Sequence, residues 1–248
     1  MRPEDYSLFD VTVDDGICVA RLTHPDPDHT ERAEWPALIA DAGASADVRV
    51  LVLTGWSTPR RGRVPGDFDD FDPYMYYDRA RRAPVTALID LDKPVVVALD
   101  GDPGVLTVPL SCDVIIAERH LDFADNHVLI GTASATQPYL WPMSSGLTKA
   151  KRYILTGERF SAEEGERMGL FTEVVNTGMS MARAMEYATH MASLRPETLQ
   201  ATKRTLNQWM RLAQTAVFEQ GLALEFMLFP KDFADRYRAG AITERNGK

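Results

Sequence analysis

The residues best placed to do chemistry lie between Lys93 and Gly131, in KPVVVALDGDPGVLTVPLSCDVIIAERHLDFADNHVLIG. An apolar run, Val95 to Leu99, breaks at Asp100-Gly101-Asp102-Pro103-Gly104, and a second apolar segment follows at once. Backbone N–H groups at such a turn, opening a helix, bind a developing negative charge. The Gly104 N–H is one candidate donor, because a glycine lets the main chain approach a ligand closely; by itself the same stretch also reads as a tight turn. A second donor is sought in Val64-Pro65-Gly66-Asp67-Phe68, where Pro65 has no N–H and the Asp67 N–H is available. The Asp67 side chain must then point away, since a carboxylate beside an oxyanion is repelled.

Proton transfer needs a group that titrates near neutrality, and His127 is the best placed of the 5 histidines. His24 and His29 stand in a Pro/Asp-rich loop, His120 ends a strand, and His190 has polar helical surroundings. His127 is read on a loop among Asp122, Asp125 and Asn126, any of which could set its tautomer, and Asp125 is taken as its partner. Trp141 is assigned to a pocket wall or to the core. Arg60, Arg61 and Arg63 form the one obvious basic loop cluster for a phosphate-bearing ligand, although such a cluster is more often simply a solvated loop. The acidic run Asp67, Asp69, Asp70 and Asp72 lacks His and has no EF-hand spacing, so no metal is assigned.

The elements that must position these groups are legible as a pattern. Leu8–Val13 and Ile17–Leu22 flank Asp14-Asp15-Gly16 and read as a hairpin. Arg32 to Ala42 reads as a helix stopped by Gly43, and 48–54 as a buried strand ending at Gly55. The stretch 56–73 reads as a long loop of the kind that often carries function. Tyr74 to Leu91 has helical character. The strand at Val95, a short helix after Gly104 and the strand Val114–Ala117 come next. Beyond Ser145 the chain reads as mostly helical, through Leu147–Leu155, Ala162–Met168, Met179–Leu194 and from Glu197 toward Phe229. This is an α/β protein, with a β/α core over 1–190 and a helical region over 191–248.

At 248 residues the chain can bury a substantial core, and 45% hydrophobic with 25% charged residues is ordinary for a globular protein. No apolar run approaches the ~20 residues of a membrane span, and the N-terminal residues carry no secretory h-region, so a cytoplasmic protein is expected. Cys18 and Cys112 are too few for a disulfide framework. A net charge of −9 counts against nucleic acid and anionic membrane as partners.

Taken in order, VRVLVLTG, VPGDFDD, KPVVVALDG, LSCDVIIAE, FADNHVLIG and YILTGERFSAEEGERMGLFTEVV resemble the crotonase (enoyl-CoA hydratase/isomerase) superfamily, and the tail DRYRAGAITER looks like its C-terminal helix. The resemblance implies a ββα spiral core with a C-terminal helical trimerisation region, assembling as a homotrimer or homohexamer. It places the oxyanion donors at Asp67 and Gly104. It also places Thr107 and His127 where hydratases carry two Glu residues; a Thr hydroxyl does not ionise near neutral pH, so hydration by two carboxylates is not expected and Thr107 is implied to line the pocket or hold the water. His127 followed by Gly131 and Trp141-Pro142, with Pro109 four residues before Asp113, is similar to a branch containing 6-oxocamphor hydrolase and related β-diketone hydrolases. That branch has a second active-site His, which would fall near Pro138 and is absent here.

The implied activity is a crotonase-type hydrolase or lyase: His-assisted water attack or proton transfer on an oxyanion-stabilised substrate, in the retro-Claisen sense for a β-diketone. An acyl-CoA hydratase or isomerase is the alternative, with coenzyme A only as part of the substrate and no other cofactor. A catalytically silent binding protein of the same fold is the third reading.

Overall fold

The computed structural model describes residues 5–24, 31–58 and 82–228. The first two strands, β1 (Phe9–Asp14) and β2 (Ile17–Leu22), form the antiparallel hairpin read from the sequence, paired from Phe9↔Leu22 to Asp14↔Ile17. Helix α1 (Glu34–Ala44) runs through Gly43, which was expected to stop it, and ends at Ser45, whose N–H donates to the Asp41 carbonyl. Burial of Trp35, Leu38, Ile39 and Ala42 along one face outweighs the cost of a single helical glycine, about 1 kcal/mol.

Strand β3 (Val50–Thr54), helix α2 (Ala83–Asp90) and strand β4 (Val95–Leu99) follow. Pro84 sits in the first turn of α2, where its missing N–H costs nothing. The part of the expected helix before Arg82 lies outside the described residues. The short helix expected after Gly104 is instead irregular chain and a turn, with one 3₁₀ turn over Pro109–Ser111. Beyond it come β5 (Val114–Glu118) and the two-residue β6 (Asp122–Phe123), then the single-turn α3 (His127–Ile130), α4 (Gln137–Ser145) and α5 (Leu147–Thr156). The chain continues through β7 (Phe160–Ser161), α6 (Ala162–Met168), β8 (Glu173–Val175), α7 (Ser180–Ser193) and α8 (Pro196–Ala213). A π-helical turn, Gln214–Phe218, joins α8 to α9 (Glu219–Leu228).

Six strands form one sheet in the order β1-β2-β3-β4-β5-β8, parallel from β2 onward, while β6 and β7 pair separately. The uninterrupted apolar strands β3 and β4 are what a parallel sheet covered on both faces requires. On one side Leu51, Leu53, Val95, Val97 and Leu99 join the main core. On the other, Val50, Val52, Val96 and Ala98 meet Ala184, Ala188 and Ala192 of α7, whose small side chains let the helix lie close.

At the carboxyl ends of β3 and β4, Asp100 ties the two exits together. Its Oδ1 accepts the N–H groups of Gly55 (3.2 Å) and Ser57 (3.3 Å), and its Oδ2 accepts the Ser57 hydroxyl at 2.6 Å. Both loops read as carrying oxyanion donors therefore leave the sheet from adjacent strands, at the end where α/β sheets bind ligands. Among the described residues no helix is long and apolar enough to cross a membrane.

Candidate active site

His127 is the first residue of α3, not a loop residue as its sequence context suggested, and its side chain is 6% exposed. The local cause is Asp125. Its Oδ1 accepts the His127 backbone N–H at 3.2 Å and also meets ring Nδ1, so one buried carboxylate fixes both the helix start and the imidazole. Of the three polar neighbours the sequence offered, Asp125 is the one that pairs with the ring. On the far side of the ring, Nε2 lies 3.5 Å from Glu225 Oε1, and the Glu225 side chain is 5% exposed.

Glu225 belongs to α9, far along the chain, and it escaped the sequence reading. Its only signal there is one charge inside the apolar run LALEFML. Two packing features bring it in. Phe218, fully buried in the π-helical turn, packs on Tyr139 with ring centroids 5.1 Å apart. Gly221 lies so close to Ala135 that a Cβ there would meet the Ala135 backbone at 3.1 Å.

Burial alone would push the His127 imidazole toward neutrality. The carboxylates of Asp125 and Glu225 overcome it and lift its pKa to about 9. Burial likewise opposes ionisation of Asp125, but the imidazolium and its hydrogen bonds hold that carboxyl below the usual range. The resting site is thus an imidazolium between two carboxylates. It is charged at neutral pH and poised to give a proton before it can take one.

Behind Asp125 runs a chain of buried and half-buried polar groups. Thr107 Oγ1 lies 2.9 Å from Thr136 Oγ1, and Gln137 Oε1 lies 2.6 Å from Thr136 Oγ1 and 3.1 Å from Ser134 Oγ. The Ser134 hydroxyl also faces Asp125 and helps keep it ionised. Thr107, expected on the pocket wall, is therefore joined through three side chains to the carboxylate that holds His127.

The Gly104 amide is engaged. Its N–H donates to Asp102 Oδ1 at 2.8 Å instead of pointing at a substrate oxygen, within a γ-turn in which the Val105 N–H donates to the Pro103 carbonyl. Asp67, Arg60, Arg61 and Arg63 lie outside the described residues. Trp141 is 1% exposed and packs edge-on against Phe160 at 5.4 Å, inside the main core. No grouping of three or more His, Cys, Asp or Glu side chains placed to hold a metal occurs among the described residues.

Residues 16–243 match the enoyl-CoA hydratase/isomerase family. An (E)-benzylidenesuccinyl-CoA hydratase of Thauera aromatica is 28% identical over 223 residues, 85% of this chain and 83% of the relative. The mitochondrial enoyl-CoA hydratase of Pongo abelii is 30% identical over 165 residues, 63% of this chain and only 53% of the relative. Among solved structures, a β-diketone hydrolase from the cyanobacterium Anabaena sp. PCC 7120, bound to (S)-3-oxocyclohexyl acetic acid, has a TM-score of 0.81 at 24% identity, covering 91% of this chain and 95% of that one. An enoyl-CoA hydratase/isomerase from Mycobacterium paratuberculosis likewise has a TM-score of 0.81 at 24% identity, covering 94% and 98%. At that identity the two structures share the fold.

Proposed function

The chain belongs to the enoyl-CoA hydratase/isomerase family and has its crotonase-like α/β fold, and from that premise we propose that it is a hydrolase that cleaves a carbon–carbon bond of a β-diketone by a retro-Claisen route. The observation that carries the reading is the buried Asp125–His127–Glu225 arrangement, which supplies an acid and a base where two glutamates would serve hydration. The chemistry needs both roles, in order. The Glu225 carboxylate takes a proton from water as the oxygen adds to one carbonyl carbon. Collapse of the tetrahedral adduct breaks the bond to the central carbon and releases an enolate. The His127 imidazolium protonates that carbon, and the proton held by Glu225 restores the imidazolium. One water is consumed, and a cyclic diketone opens to a single keto acid with no redox change.

The Gly104 N–H, once released by Asp102, and the Asp67 N–H are the donors proposed for the oxyanion. Each such donor is worth about 3–4 kcal/mol to the transition state. Asp125 keeps the imidazole charged and oriented. The acyl-CoA reading is favoured by the relatives, whose names specify CoA thioesters, and in that reading Arg60, Arg61 and Arg63 meet the phosphates. A homotrimer or homohexamer is supported by the exposed apolar row Leu206, Trp209 and Leu212 on α8.

The test is a panel of cyclic β-diketones and enoyl-CoAs offered to the parent and to His127→Ala. Turnover of a diketone without CoA, falling roughly 10²–10⁴-fold in the variant, is expected. Turnover confined to enoyl-CoAs moves the assignment to the thioester reading. No turnover of either class, with His127→Ala behaving as the parent, leaves the silent binding protein.

A further inference from the structure

A buried amide with one satisfied end shows which way the polar chain behind the site points. As described above, Gln137 Oε1 accepts from both Thr136 and Ser134, while Gln137 Nε2, in a side chain 1% exposed, has no partner. Asp125 Oδ2, fully buried, has none either. The arrangement spends two hydroxyl protons on one carbonyl oxygen and strands two N–H donors, the kind of orphan proteins avoid most strictly. Amide oxygen and nitrogen are nearly the same size, so a half-turn of the side chain keeps every distance and reverses every role.

We propose that Gln137 is a positioning residue whose amide nitrogen faces Ser134 and Thr136, making a one-way hydrogen-bond chain that leaves the Thr107 hydroxyl proton free to donate to the substrate oxygen. The donors then balance. Each Gln137 N–H meets a hydroxyl oxygen. The single Ser134 proton is released to the unpartnered Asp125 oxygen. The Thr136 proton goes to Thr107 Oγ1, 2.9 Å away. Among the described residues the Thr107 hydroxyl makes no other side-chain bond, so its own proton points out of the chain. With the opposite polarity Thr107 donates into the chain and has nothing to offer a ligand. One acceptor, Gln137 Oε1, is left unpaired, which is tolerated better than two stranded donors. The proposal rests on the reading that Thr107 lines the substrate pocket, and it makes Thr107 a third, neutral donor to a carbonyl oxygen.

Polarity is read directly by neutron diffraction from ligand-free, deuterium-exchanged crystals. Two deuterons on the Gln137 atom facing Ser134 and Thr136 are expected, and deuterons on the opposite atom overturn the proposal whatever the substrate proves to be. The consequence is read by titrating (S)-3-oxocyclohexyl acetic acid and cyclohexane-1,3-dione, with thermal melting as the check on folding. Thr107→Val should weaken binding about tenfold, the loss of one neutral hydrogen bond, and Thr107→Ser should recover most of it. Gln137→Glu, which can only accept from the hydroxyls, should cost about the same, and combining it with Thr107→Val should add nothing further. Thr136→Val distinguishes the polarities again: it leaves binding equal or weaker here, whereas tighter binding means that Thr107 had been donating to Thr136, against the proposal. If neither probe binds any form, the β-diketone reading fails, and the neutron result still decides the polarity of the chain.

Discussion

Glu225→Gln removes one charge beside a buried imidazole while keeping a hydrogen-bonding group of the same size, so its effect can be worked from the geometry. With Nε2 and Oε1 3.5 Å apart and both side chains about 5% exposed, Coulomb's law at an effective dielectric near 20 gives about 5 kcal/mol as a ceiling. Relaxation and the hydrogen bond that Gln retains reduce this. The share of Glu225 in the elevation of His127 then comes to roughly one to two pKa units, about 1.4–2.7 kcal/mol. The parent imidazole titrates at about 9, so the variant should titrate between about 7 and 8. The assay is a pH series of long-range ¹H–¹⁵N spectra on protein labelled at histidine, with His127→Gln to assign the resonance and thermal melting to show that the variant is folded. A His127 midpoint that does not move, or a parent midpoint near the ordinary 6.5, would refute the paired-carboxylate account and with it the assignment of the imidazolium as the acid.

The same pairing makes stability depend on pH with a definite sign. Because the folded pKa of His127 is raised from 6.5 to about 9, its contribution is complete below 6.5 and drains away as pH rises to about 9, by at most about 3 kcal/mol. Asp125, held low, contributes above its ordinary range and loses that contribution as pH falls through its lowered value. Urea midpoints across pH 3–10 should therefore show a plateau on the acid side of neutrality, with the alkaline edge shifted down in Glu225→Gln. Gly101→Ala should cost several kcal/mol, or displace the turn, because the new methyl would lie 2.3 Å from the Trp56 carbonyl oxygen, which is backbone and has nowhere to go; a melting temperature equal to the parent's would contradict this. Lys203→Met keeps the length of a side chain that donates to Asp113 Oδ2 and to the Lys93 carbonyl. With Asp113 about a quarter exposed, the loss should be about 2–3 kcal/mol in urea unfolding, below the 3–5 of a fully buried broken pair.

The sequence by itself determined whatever depends on neighbours along the chain. The hairpin around Asp15-Gly16 follows from two alternating runs and a turn. β3 and β4 follow from apolar stretches that only a strand buried on both faces can use. Helix α6 follows the span Ala162–Met168 read from the sequence, and the structure adds that the Ser161 hydroxyl oxygen accepts the Glu164 N–H at its start. His127 stood out for the polar groups close to it along the chain, Asp122, Asp125 and Asn126, and the fold selected Asp125 among them. Elements whose existence depends on packing were not legible. The single turn α3 and the two-residue strands β6 and β7 are too short for periodicity to register, and α1 passes through Gly43 because its buried face holds it.

Tertiary structure alone decided the electrostatics of the site. Glu225 reaches His127 only because Phe218 and Gly221 seat α9 against Tyr139 and Ala135, contacts that no local pattern encodes. The Gly104 amide, expected at a turn as an oxyanion donor, is held by Asp102. Residue types and spacings can nominate an imidazole. Whether it rests as a base or as a charged acid is set by which carboxylates share its low-dielectric surroundings, and that is a property of the folded chain.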